Sequence, residues 1–95
     1  RIIIQSVIGD RFRENTSEEQ KIFLRRLSKY LEDCEWSQDS IREMIRECTS
    51  FCEIVPRDGF SALYWALLGR GDGPRASALI SEMERRALID LLSGV

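Results

Sequence analysis

Sixteen carboxylates, fourteen Lys and Arg, three cysteines and no histidine make up the reactive inventory of this chain. General acid–base work at neutral pH most often uses histidine, so here carboxylates would have to do it alone. They fall on patterned charged faces beside Arg and Lys, where solvated surface groups are the simplest reading. Ser61, in "DGFSAL", has no cysteine at its position and no histidine after it, so no activated nucleophile is expected there. Cys34, Cys48 and Cys52 are an odd number, and a four-ligand metal site would need carboxylates to complete it. The glycine-rich "GRGDG", Gly69 to Gly73, follows a helical pattern rather than a strand and lacks the Gly-Lys-Ser/Thr ending of a phosphate loop. It reads as a connector, and the Arg-Gly-Asp tripeptide inside it as a turn. The sequence therefore predicts no catalytic residue, metal, cofactor or small-molecule substrate.

The elements that would position any site are helical. Ile4, Val7, Ile8 and Phe12 recur at three- and four-residue steps and predict a first helix over residues 3–12, although the β-branched run Ile2, Ile3, Ile4 also suits a strand. Ser17 and Gln20 have capping-box spacing and start a second helix with Phe23, Leu24, Leu27, Tyr30 and Leu31 on its oily face. Ser37 caps a third, with Ile41, Met44, Ile45 and Cys48 inward and Trp36 as a staple residue ahead of it. Pro56 or Asp58 begins a fourth, in which Phe60, Leu63, Tyr64, Leu67 and Leu68 form the apolar face, widened by Trp65 and Ala66. Gly71 and Gly73 supply permissive backbone, Pro74 the first turn of a fifth helix with Ala76, Leu79, Ile80 and Met83. After a break near Arg85 and Arg86 comes a sixth with Leu88, Leu91 and Leu92.

A chain of 95 residues, 43% hydrophobic and 32% charged, is expected to be one soluble globular domain spanning 1–95, excised from something longer because it begins at Arg1. "RIIIQSVIGDRF" is too short for a bilayer and lacks a signal-peptide cleavage site, so neither a membrane partner nor export is expected. The odd cysteine count suits a reducing, cytoplasmic compartment. A net charge of −2 offers no global field for a phosphate backbone and disfavours nucleic acid as partner. Short amphipathic helices with no strand pair predict an all-α, compact six-helix antiparallel bundle.

The segment "LYWALLGRGDGPRASALISEMERRALIDLL" resembles the C-terminal half of a death domain. Trp65, Arg70 with Gly71, Ala76 with Ser77, Leu79 with Ile80, Arg86, and Leu91 with Leu92 follow that family's order. "FLRRLSKYLEDCEWSQDSIREMIREC" is similar to its second and third helices, with death effector and caspase-recruitment domains as near relatives. The resemblance implies a Greek-key death fold without enzymatic activity, binding other death-fold domains by homotypic contact, with possible self-association, in apoptotic or innate immune signalling. It would act through charged surfaces: Arg25, Arg26, Lys29, Glu32 and Asp33, then Asp39, Arg42, Glu43 and Arg46, with Arg57, Asp58 and Arg75 as the other half of a heterologous contact. Two alternatives remain open: a helical regulatory or nucleic-acid-binding domain, and a truncated deubiquitinase-like enzyme, since "DGFSAL" is similar to the nucleophile region of ovarian-tumour-type proteases.

Overall fold

A computed structural model describes residues 3–5 and 7–95. They form α1 (Asp10–Asn15), α2 (Glu18–Tyr30), α3 (Gln38–Cys52), α4 (Pro56–Leu68), α5 (Ala76–Ser81) and α6 (Arg85–Ser93). The predicted all-α six-helix bundle is what these residues build. Isolated helices of this length are marginal in water, so each gains its stability by burying one face. Helix α2 is the common partner. It packs against α3, α4 and α6, and Phe23, Leu24, Leu27 and the following Leu31 are completely buried.

Local chemistry sets the helix limits. The Ser17 hydroxyl accepts from the Gln20 N–H at 3.2 Å, and the Gln20 side-chain oxygen accepts from the Ser17 N–H at 2.8 Å, which closes the capping box that starts α2. Ser37 caps α3 in the same way through the Ser40 N–H. Helix α4 begins with Pro56, where a missing N–H costs nothing, and ends at Gly69, whose φ of 70° lies in the left-handed region. Glu53 ends α3 in that region too, with a φ of 56°.

The ends of the bundle are joined by Trp36 and Arg85. The Trp36 indole donates to the Met83 carbonyl at 2.9 Å. Arg85 lies 4.7 Å from the Trp36 ring centroid and donates to the Leu31 and Glu32 carbonyls at 2.7 and 3.1 Å, completing the last turn of α2. Trp36 is therefore a bridge to the α5–α6 turn rather than only a staple for α3.

Three expectations change. The predicted helix over 3–12 is replaced by irregular backbone at residues 3–5 and 7–9 followed by α1 from Asp10: Gly9 is extended, with a φ of −103° and a ψ of −178°, and the Gln5 N–H donates across the fold to the Leu67 carbonyl at 2.7 Å. Arg1 and Ile2, the start of the β-branched run, lie outside the described residues. The left-handed glycine is Gly69, not Gly71 or Gly73, and α5 starts at Ala76, after Pro74.

Helices α2, α3 and α4 meet at Gly59. A β-carbon there would sit 2.7 Å from Thr49 Cγ2 and 3.2 Å from Phe23 Cζ, both on buried side chains. Gly59→Ala is expected to destabilise the bundle by about 1–3 kcal/mol through overpacking. Ser17→Ala is expected to remove about 1 kcal/mol of capping. In a domain this size each kcal/mol lowers the melting midpoint by about 4–8 °C, measurable by circular dichroism; an unchanged midpoint for Gly59→Ala would contradict this three-helix junction.

Candidate functional site

Helix α4 carries two stripes. Gly59, Ala62, Leu63, Ala66 and Leu67 face the core and are buried. Arg57, Phe60, Ser61 and Tyr64, at i, i+3, i+4 and i+7, lie on the other side and are exposed or half-buried. The chain then turns at Gly69 and runs back along the helix. The α-carbons of Gly71 and Gly73 approach so closely that a β-carbon would lie 3.3 Å from Trp65 Nε1 and 3.3 Å from Tyr64 Cδ1 respectively. A β-carbon at Gly73 would also lie 2.5 Å from Leu68 Cδ1, so the absence of a side chain there lets the loop lie against α4.

Between helix and loop is an open cleft of about 490 Å³, lined by Arg57, Asp58, Phe60, Ser61, Tyr64, Gly71 and Asp72. The Arg70 Nε donates to the Asp72 carbonyl at 2.9 Å, which holds the loop's shape. Arg57 and Arg75 are exposed and make no ion pair or side-chain hydrogen bond among the described residues. Burial raises the Tyr64 phenol above its usual value, the Asp72 charge adds to the effect, and the Ala76 backbone amide opposes it. Tyr64 is thus a neutral hydroxyl at physiological pH. Arg11 lies 5.9 Å from the Trp65 ring centroid beside the same region.

The structure divides the twelve charged residues expected to bind a partner. Arg57 and Asp58 line the cleft, and Arg75 is next in the chain to Ala76, whose backbone amide reaches Tyr64. The remaining nine lie on α2, the following turn and α3. Arg25 is partly used internally: it donates to the Val95 carbonyl at 2.6 Å and pairs with Glu18 at 3.2 Å. Arg42 pairs with Asp39 at 3.2 Å. Arg26 lies 4.9 Å from the ring centroid of Phe51, which is 61% exposed. Lys29, Glu32, Asp33, Glu43 and Arg46 are exposed. Phe60, Ser61, Tyr64 and Asp72 were not anticipated as site residues, because the apolar period placed Phe60 and Tyr64 in the core. The available signal was the pairing of aromatics at i and i+4 with an arginine three residues before the first.

Two other features bear on chemistry. Shallow grooves follow α6, one of about 310 Å³ lined by Ile4, Gln5, Met83, Glu84, Ala87 and Leu91. Cys48 is completely buried, its thiol donating to the Phe23 carbonyl at 3.7 Å, while Cys34 and Cys52 are half-buried and all three are free thiols. Among the described residues no three His, Cys, Asp or Glu side chains cluster as a metal site would require, and no helix is long and apolar enough to cross a membrane.

No protein-family model matches the chain. It is similar to three lysine–tRNA ligases: that of Methanococcus maripaludis, 32% identical over 76 residues, that of Picrophilus torridus, 26% over 81 residues, and that of Aeropyrum pernix, 34% over 76 residues. These alignments cover 80%, 85% and 78% of this chain but only 14%, 16% and 14% of the relatives, so the chain spans about a seventh of the enzymes it matches. The finding overturns four expectations: the death-fold resemblance, the homotypic signalling adaptor, the separation from any enzyme, and the exclusion of nucleic acid as partner. The structure gives the reason for the first. Ala76, Ser77, Ile80, Leu91 and Leu92 are buried, so half of the residues that matched a death domain record helix packing, which unrelated bundles share.

Cys48 gives this surface and core a pH-dependent check. Burial, with the neighbouring Cys52 adding to it, pushes the Cys48 thiol from 9.0 up to about 12. Because the folded value is the higher one, its contribution to stability is complete below pH 9.0 and is lost as pH rises towards about 12. Urea unfolding at stepwise pH should show that alkaline loss in the wild type and a smaller one in Cys48→Ala. Iodoacetamide at pH 8.5 should leave Cys48 unmodified until urea is added; rapid native labelling would contradict its placement.

Proposed function

We propose that this chain is a helical portion of a lysine–tRNA ligase and contributes binding contacts to the tRNA. The observation that carries this reading is the sequence shared with three lysine–tRNA ligases along about four-fifths of the chain. The distribution of groups supports it. Arg57 stands beside Phe60 and Tyr64 on α4, Arg11 lies 5.9 Å from the neighbouring Trp65 ring, and Arg75 adjoins Ala76 where its backbone reaches Tyr64, whereas the stretch from Glu32 to Glu53 is rich in carboxylates and suits solvent better than a phosphate backbone.

The net charge of −2 constrains how such binding works. Each phosphate neutralised on a single strand contributes roughly −0.7 to the slope of log K against log salt. Two or three arginine contacts therefore predict a slope of about −1.4 to −2, much shallower than that of a basic groove with six to ten contacts. The 95-residue chain, titrated with fluorescently labelled tRNA at several salt concentrations, should bind saturably with that shallow slope. No binding at low salt would reject the proposed role.

A further inference from the structure

Three places outside the core could receive a ligand. The Arg26–Phe51 pair has an exposed ring, but Glu47 and Glu53 lie nearby in sequence and oppose an anionic ligand. The groove along α6 is lined mainly by Ile4, Met83, Ala87 and Leu91, and nothing shows what covers it. The cleft beside α4 differs from both, because it combines a cavity, aromatic rings, hydrogen-bonding groups and the unpaired Arg57, with a second unpaired arginine, Arg75, adjoining Ala76 where its backbone reaches Tyr64.

We infer that the cleft between α4 and the glycine turn receives one unpaired nucleobase of the tRNA, stacked against Phe60 and Tyr64, with Arg57 and Arg75 at the flanking phosphates. The inference rests on the tRNA-binding role proposed above and assigns it a place. Proteins read unpaired RNA by splaying a base onto aromatic or guanidinium planes and hydrogen-bonding its edge. Phe60 and Tyr64, one turn apart, offer adjacent rings, and the cavity of about 490 Å³ leaves room for a nucleoside. Ser61, the Tyr64 hydroxyl and the Gly71 backbone supply edge partners, and Gly71 keeps the opposite wall free of a side chain.

The charges favour a base over a backbone inside the cleft. Asp58 and Asp72 repel phosphate, yet they accept hydrogen bonds from exocyclic amino groups. A duplex would present phosphates along its whole contact, and its bases would remain stacked on each other. An unpaired nucleotide puts its uncharged base between the carboxylates and leaves its phosphates outside, near Arg57 and Arg75. This also accounts for how a chain with a net charge of −2 could hold RNA: stacking supplies most of the affinity and a few arginines supply the rest.

The test uses the 95-residue chain with three probes: tRNA, a single-stranded RNA heptamer, and an RNA duplex of equal length. In NMR titrations the tRNA and the heptamer should shift the Phe60 and Tyr64 ring signals and the Gly71 amide, and the duplex should not. Phe60→Leu keeps apolar packing but removes the stacking face. With its melting unchanged, it should bind both tRNA and heptamer about tenfold or more weaker, while Arg86→Gln on α6 binds as the wild type. If Phe60→Leu does not fold, the wild-type shift map decides. Shifts centred on α2 and α3, or full tRNA affinity in folded Phe60→Leu, would overturn the cleft but leave the ligase role standing. A wild type that binds no tRNA would overturn both.

Discussion

The architecture depends on how closely α4 can approach the centre of the bundle. Gly59 lets its backbone rest on Phe23 of α2 and Thr49 of α3, and any β-carbon there meets atoms that are themselves buried. With α4 pinned at that point, its rotation about its own axis is settled. Ala62, Leu63, Ala66 and Leu67 enter the core, and the opposite stripe of Arg57, Phe60, Ser61 and Tyr64 is left outside. The surface that could recognise a ligand is thus a consequence of one packing constraint in the interior. The capping chemistry on α2 reinforces it from a distance: the Gln20 side chain, besides closing the capping box, donates to the Asp58 carbonyl at 2.9 Å and ties the start of α2 to the start of α4.

The polar junctions divide between structure and availability. Arg85 satisfies the carbonyls that end α2 and stacks on Trp36; Arg25 reaches the Val95 carbonyl; Arg70 holds the glycine turn through Asp72. Each of these guanidinium groups is committed to holding chain segments together. Arg57 and Arg75 have no such commitment among the described residues; Arg57 lines the cleft that holds Phe60 and Tyr64, and Arg75 precedes Ala76, whose backbone amide reaches Tyr64. In a protein of net negative charge, cations left without a structural partner have more bearing on anion recognition than the total count.

Much of the fold was legible because local signals and packing agree. Ser17 with Gln20, Ser37 and Pro56 each act where their spacing predicted, and α2, α3 and α4 begin within a residue or two of the expected positions. The first segment was misread because its apolar period is shared by a helix and by an irregular chain lying in a groove. What decides between them is tertiary: the Gln5 N–H takes a long-range partner in the Leu67 carbonyl, and the backbone is still extended at Gly9. The glycine turn was read correctly as a connector but not as a wall, since close approach to Trp65 and Tyr64 exists only once the chain has folded back.

The misplacement of Phe60 and Tyr64 has a physical origin. Helix α4 is apolar on nearly every side, so periodicity locates the helix without fixing which stripe faces inward. Large aromatic residues are the natural choice for the interior, yet with Gly59 turned towards Phe23 and Thr49 the inward stripe is Ala62, Leu63, Ala66 and Leu67, and Phe60 and Tyr64 pack only at its margin. The same ambiguity explains the death-domain resemblance: a Trp, a glycine turn, a small residue and spaced leucines are what tightly crossed short helices need, whatever they bind. Function in such a bundle is carried by residues that packing excludes. Phe60 and Tyr64 pack one side of their rings against the core and leave the rest at the surface beside Arg57, so they can serve packing and recognition together, which the buried core pattern cannot.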